Sequence, residues 1–175
     1  MRKMKRPLIT ILLIVGCFLV ETMIFKKITF ANITPNLLVI VTASFGVMRG
    51  KREGMLVGFV SGLMLDVFFG ELLGFYALLY LLLGYMNGFF QRVFYSEDIK
   101  LPLFMIGASD FVLGNFIFLF RFVMRGQFDY GYYLGHIILP ELIYTLLITL
   151  VLYRVILIIN NALEAEEKRS ASKFV

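Results

Sequence analysis

Four carboxylates, Glu21, Asp66, Asp110 and Glu141, stand inside or at the edges of long apolar runs. Charges in a bilayer are costly and tend to mark function, so the chemistry open to these groups comes first. Two aspartates that share a proton can hydrolyse a peptide bond. Intramembrane enzymes of that kind use Tyr-Asp and Gly-x-Gly-Asp settings. Here the settings are Leu65-Asp66 and Gly107-Ala108-Ser109-Asp110. The first lacks the Tyr and the second lacks its second Gly. There is one histidine, His136, and one cysteine, Cys17, too few for a metal cluster of those types. No His-Glu-x-x-His, Gly-x-Ser-x-Gly or phosphate-loop pattern occurs. The expectation is a protein with no catalytic residues, no metal and no cofactor.

The elements that carry these residues follow from composition. The 175 residues are 60% hydrophobic, whereas soluble domains sit near half or below. The excess is gathered into six runs: Leu8 to Phe25, Pro35 to Met48, Met55 to Phe69, Leu72 to Phe90, Leu101 to Phe120 and Leu134 to Ile159. A spanning helix needs roughly 20 mostly apolar residues, and backbone polar groups in lipid must be bonded within the segment. The runs do not alternate as barrel strands would. The expected fold is an all-α integral membrane protein with six transmembrane helices, one domain over residues 1–160 and a polar cytoplasmic tail over 161–175. The second and third runs are short, so five spans with a half-inserted second run is the alternative.

The formal charge of +5 is explained by its distribution. Basic residues sit at the ends of apolar runs, which points to lipid headgroups and topology and away from nucleic acid. Arg2, Lys3, Lys5, Arg6, Arg49, Lys51, Arg52, Arg92, Lys100, Arg154, Lys168, Arg169 and Lys173 fall on one side of a six-span chain. Only Lys26, Lys27, Arg121 and Arg125 fall on the other. The excess of Lys and Arg marks the cytoplasmic side, so both termini are expected there. The basic start followed by an apolar stretch also resembles a signal peptide. The run continues past Cys17 through Phe18, Leu19 and Val20, which favours an uncleaved first span.

On that topology Glu21, Asp66 and Glu141 lie toward the outer ends of their spans. They are expected to reach interfacial water, to pair with Lys26, Lys27, Arg121 or Arg125, or to line a polar cavity open to the outside. Asp110 is mid-span and is expected to be protonated, or bonded in the interior to a neighbour such as Ser109 or Asn115. Thr34 and Pro35 are expected to open the second span as N-cap and first helical residue. Pro140 should kink the last span and free a carbonyl.

Gly54, Gly58, Gly62, Asp66 and Gly70 recur every fourth residue, and Gly74 continues the series. Glycines at this spacing form a groove that another helix can approach closely. Each four-residue step turns a helix by about 400°, so the stripe drifts about 40° per step. The stripe is expected to pack against a neighbouring span, a partner protein, or both.

The ordered series Pro35-Asn36-Leu37-Leu38, Arg49-Gly50, Gly54, Gly58-Phe59, Gly62-Leu63, Leu65-Asp66, Gly70, Leu73-Gly74, Tyr76-Ala77 and Tyr80 to Gly84 resembles the rod-shape-determining protein MreD family. The resemblance covers residues 35 to 90 well. It implies a fold similar to the substrate-binding subunits of energy-coupling-factor vitamin transporters. It also implies a non-enzymatic scaffold in the bacterial cytoplasmic (inner) membrane, within the cell-elongation machinery that builds lateral peptidoglycan. MreC is the partner it implies first. The actin-like MreB, and RodA with its transpeptidase, come next, and self-association is left open. The alternative reading is a vitamin-binding transporter subunit.

Overall fold

The computed structural model describes residues 5–25, 33–70, 72–94, 99–121 and 130–171. Among them every regular element is a helix. Helix α1 (Lys5–Leu19) continues into a wider π turn, Val20–Phe25. Helices α2 (Leu37–Arg49) and α3 (Lys51–Phe69) follow. Helix α4 (Phe75–Asn87) tightens into a 3₁₀ segment, Gly88–Val93. Helix α5 is Lys100–Arg121. The last span opens with α6 (Tyr130–Tyr133), passes through a π turn, Leu134–Ile138, and runs on as α7 (Leu139–Ala171). Among the described residues three segments are long and apolar enough to cross a membrane: Arg6–Met23, Lys100–Phe120 and Tyr130–Ala165.

The architecture is organised around α2. All residues from Leu37 to Met48 are buried, because α1, α3, α4, α5 and α7 all pack on this one helix. A helix that is apolar on every side belongs inside. Thirteen residues span about 20 Å, less than the roughly 30 Å hydrocarbon core. Single glycine Gly50 joins α2 to α3 at φ 90° and ψ −173°, a conformation essentially restricted to glycine.

The outside is apolar: Leu12, Leu72, Leu73, Phe104 and Val151 are each at least 69% exposed. The polar groups turn inward, with Asp66, Asn87, Ser109, Asp110, Thr145, Thr149 and Asn160 all buried. Contiguous exposed apolar surface on this scale marks contact with a membrane.

The glycine stripe separates into two parts. Gly54, Gly58 and Gly62 of α3 lie against the α4 backbone, where a Cβ would fall on the carbonyls of Gly84, Tyr80 and Tyr76. Gly84 meets the Gly54 carbonyl in return, and Gly88 meets Lys51. At Gly46 of α2 a Cβ would come within 2.9 Å of both Asn87 Cβ and the Gly84 carbonyl oxygen. Three backbones therefore meet around Gly46, Gly54 and Gly84. Gly70 and Gly74 do not share this packing. Gly70 ends α3 against the carbonyl of Asp66, and Gly74 is a turn residue with φ +99° and open space beside it.

Several expected boundaries shift. Helix α2, expected as the second span, begins at Leu37 with Asn36 as its N-cap, two residues beyond the Thr34-Pro35 start expected from the sequence, because Asn36 carries the side chain that accepts from Val39 N–H. Lys51 to Gly54 join α3, since Gly50 makes the turn without spending further residues. Helix α7 extends to Ala171, well past the membrane exit expected near Ile159. Pro140 lacks the N–H that would bond the carbonyl one turn back, and the chain widens into the π turn just before it.

A Cβ at position 58 or 84 would meet a backbone carbonyl, which cannot rotate away as a side chain can. Gly58→Ala and Gly84→Ala should each cost about 1 to 3 kcal/mol, and leucine more. Gly16→Ala, with nothing within 4 Å, should be neutral. Unfolding of the purified protein in detergent measures this, and equal stability of all three variants would refute the close contact.

Candidate functional site

The first four N–H groups of any helix lack an intrahelical partner, and at membrane depth each one unsatisfied is expensive. Helix α2 begins inside the bundle, and three other elements meet its needs. Glu21, carried by the π turn after α1, accepts from Leu37 N–H at 2.9 Å and Leu38 N–H at 3.3 Å through Oε2. Asn36 Oδ1 accepts from Val39 N–H at 3.1 Å and from the Tyr80 hydroxyl at 2.8 Å. The Asn36 N–H donates to Thr145 Oγ1 at 3.1 Å.

Thr145 carries the network onward. Its side chain is hydrogen-bonded to Asp110 of α5, and its carbonyl accepts from Thr149 at 2.7 Å. The interior partner of Asp110 is therefore Thr145, not the neighbours Ser109 or Asn115 expected from the sequence. Ser109 instead accepts from Asn87 Nδ2 at 2.7 Å. Asn115 bonds Tyr130 and the Phe111 carbonyl. Glu141 of α7 lies within electrostatic range of both Asp110 and Glu21. Carboxylates from α1, α5 and α7 thus gather near the α2 N-terminus, the positive end of its dipole.

Asp66 performs the same service for α4. Its carboxylate accepts from Gly74 N–H at 3.0 Å, Tyr76 N–H at 2.9 Å and Ala77 N–H at 2.9 Å. The side chain reaches back across the turn from the last stretch of α3 and is buried. Glu21 and Asp66 are accordingly helix caps; buried Asp66 is withdrawn from the interfacial water or open cavity expected for it, whereas Glu21 is half-buried. The side chains of Lys26, Lys27, Arg121 and Arg125, named as partners from the sequence, lie outside the described residues.

The arrangement brings Glu21, Asp110 and Glu141 to one helix end and leaves Asp66 with Gly70 and Gly74 at the α3–α4 turn. Asp66 is engaged by backbone N–H groups and Asp110 by Thr145, so the two aspartates serve different helices. Sequence reasoning gave no structural role to Asn36, Tyr80, Thr145, Gly46 or Gly84, although Asn36, Tyr80 and Gly84 belong to the series that carries the family resemblance. Asn36 stands immediately before an apolar run, an N-cap signal that could have found it. Gly84 lies four residues before Gly88, the spacing of the α3 stripe. Nothing local distinguishes Tyr80 or Thr145 from other span residues.

At the opposite end Arg49 closes the bundle. Its Nε bonds Asn160 Oδ1, and its Nη2 bonds the Asn160 carbonyl at 3.2 Å. This ties the end of α2 to α7. Arg6 of α1 pairs with Glu53 of α3.

Glu21→Ala and Asp66→Ala each strand buried N–H donors and should each cost about 1 to 3 kcal/mol. Glu21→Gln keeps an acceptor oxygen and should cost less. Tyr80→Phe, which leaves Asn36 bonded to Val39, should cost about 1 kcal/mol. Thermal midpoints in one detergent compare them, and an Ala variant as stable as the parent would remove the capping role.

The described residues hold no group of three or more His, Cys, Asp or Glu able to bind a metal ion. No curated protein and no solved structure gives a significant match to the chain. A family comparison does. With apolar helices outside, polar bonds inside and residues 1–162 matching the family model of the rod shape-determining protein MreD, the chain belongs to the MreD family of multi-pass bacterial membrane proteins.

Proposed function

We propose that this protein is a non-enzymatic scaffold of the cell-elongation machinery, holding its partners in place while lateral peptidoglycan is made. The family match over residues 1–162 carries the reading. The caps support it: Glu21 and Asp66 bind the starts of two helices, which gives these two carboxylates a structural role. MreC is the partner proposed to bind through the membrane, with MreB, RodA and its transpeptidase in the wider assembly.

In this reading six spans form one domain over residues 1–160, with residues 161–175 as a cytoplasmic tail. The spans are α1, α2, α3, α4 with its 3₁₀ extension, α5, and α6 running through α7. Both termini face the cytoplasm of the inner membrane, on the strength of the Lys and Arg bias. The face of Gly54, Gly58 and Gly62 is occupied by α4, so the stripe would act on a partner through the shape of the α3–α4 hairpin. The fold likeness to energy-coupling-factor subunits rests on the family resemblance alone. The comparisons lend no support to a vitamin-transport role.

Affinity purification from native membranes should recover a single-span protein with a large extracytoplasmic part. Recovery of ATPase subunits and a small molecule instead would overturn the scaffold reading. Cysteines placed at positions 3 and 172 of a Cys17→Ser background should resist an impermeant thiol reagent in intact cells. Labelling of either one would overturn the six-span topology.

A further inference from the structure

We propose that the groove between α1 and α3 seats an acyl chain of an anionic phospholipid, whose headgroup is held by Arg52. The groove is a side-opening cavity of about 290 Å³. Pro7, Ile14 and Val57 line its apolar length. Its charged lining residues are Arg6 and Glu53, which pair with each other near the start of α1 and of α3. An apolar slot with charge at one end matches the two halves of a lipid.

The sign of the charge selects the headgroup. Glu53 is matched by Arg6. Arg52 is exposed and stands one turn before the groove residue Leu56, so the two share a helix face. The rim is therefore net positive. Lys51 is directed elsewhere, with Nζ 3.4 Å from the Phe89 ring centroid. Arginine presents five N–H donors in a planar fork that suits phosphate, and basic residues at a membrane surface attract anionic lipids. On the topology proposed above, the lipid comes from the cytoplasmic leaflet. The binding itself does not depend on orientation.

The test uses the full chain purified in detergent, given phosphatidylglycerol or phosphatidylethanolamine with identical photoactivatable chains. Phosphatidylglycerol should be retained preferentially in native mass spectra and should crosslink to peptides of α1 and α3. Arg52→Gln should reduce that preference about tenfold, the loss expected on removing one charge-assisted bond. Thr10→Phe, which fills the groove, should abolish the α1–α3 crosslink. Should Thr10→Phe misfold, the crosslink map and Arg52→Gln still decide the matter. Equal retention of the two lipids, or crosslinks spread evenly over all apolar faces as annular lipid would give, overturns the proposal.

Discussion

A short helix buried on every side must have its terminal backbone groups satisfied by other helices, and the rest of this structure answers to that demand. Helix α2 is about 20 Å long, too short to cross the roughly 30 Å hydrocarbon core by itself. Inside the hydrocarbon core an orphan N–H has no water to bond and requires a protein acceptor. Glu21, the Asn36 side chain and, through the Asn36 N–H, Thr145 meet the requirement. These acceptors come from α1, from the residue before α2, and from α7. Meeting the backbone need of one helix therefore fixes the positions of two others.

The same logic explains why polar residues face inward and leucines outward. Lipid supplies no hydrophobic force to press helices together, so close backbone contact and interior hydrogen bonds hold the bundle. The junction of Gly46, Gly54 and Gly84 supplies the first. Two further links supply the second: Asn87 to Ser109 between α4 and α5, and Arg49 to Asn160 between α2 and α7. Asp66 joins both devices. It lies in register with the α3 glycines and its carboxylate caps the very helix those glycines touch.

For a member of the MreD family this construction has a functional sense. Each acidic residue that looks like a reactive group in sequence is bonded to, or gathered near, the end of a buried helix. The bundle is closed by contacts that tolerate little change in helix spacing, as the scaffold role proposed above would require. The surface left for partners and lipids is the apolar exterior, varied by grooves such as the one between α1 and α3.

Much of this was legible in the residues alone. Apolar runs of membrane length, the four-residue glycine spacing and the family series from Pro35 to Gly84 each rest on local pattern, which is why they could be read. Helix class follows from lipid chemistry, which leaves the backbone only helices and closed barrels, and from runs that do not alternate. The partners of those residues were not legible. Whether Glu21 meets water or the Leu37 N–H depends on where α1 ends relative to α2. That in turn depends on a π turn no composition reveals. Asp110 finds Thr145 thirty-five positions away because two helices happen to face each other there. Gly62 was recognisable as a contact residue, yet only the folded hairpin could say that its neighbour is the Tyr76 carbonyl. Spacing along the chain determined which residues could make close or polar contacts; the packing of helices far apart in sequence decided with whom, because hydrogen bonds and van der Waals contacts act only across a few ångströms.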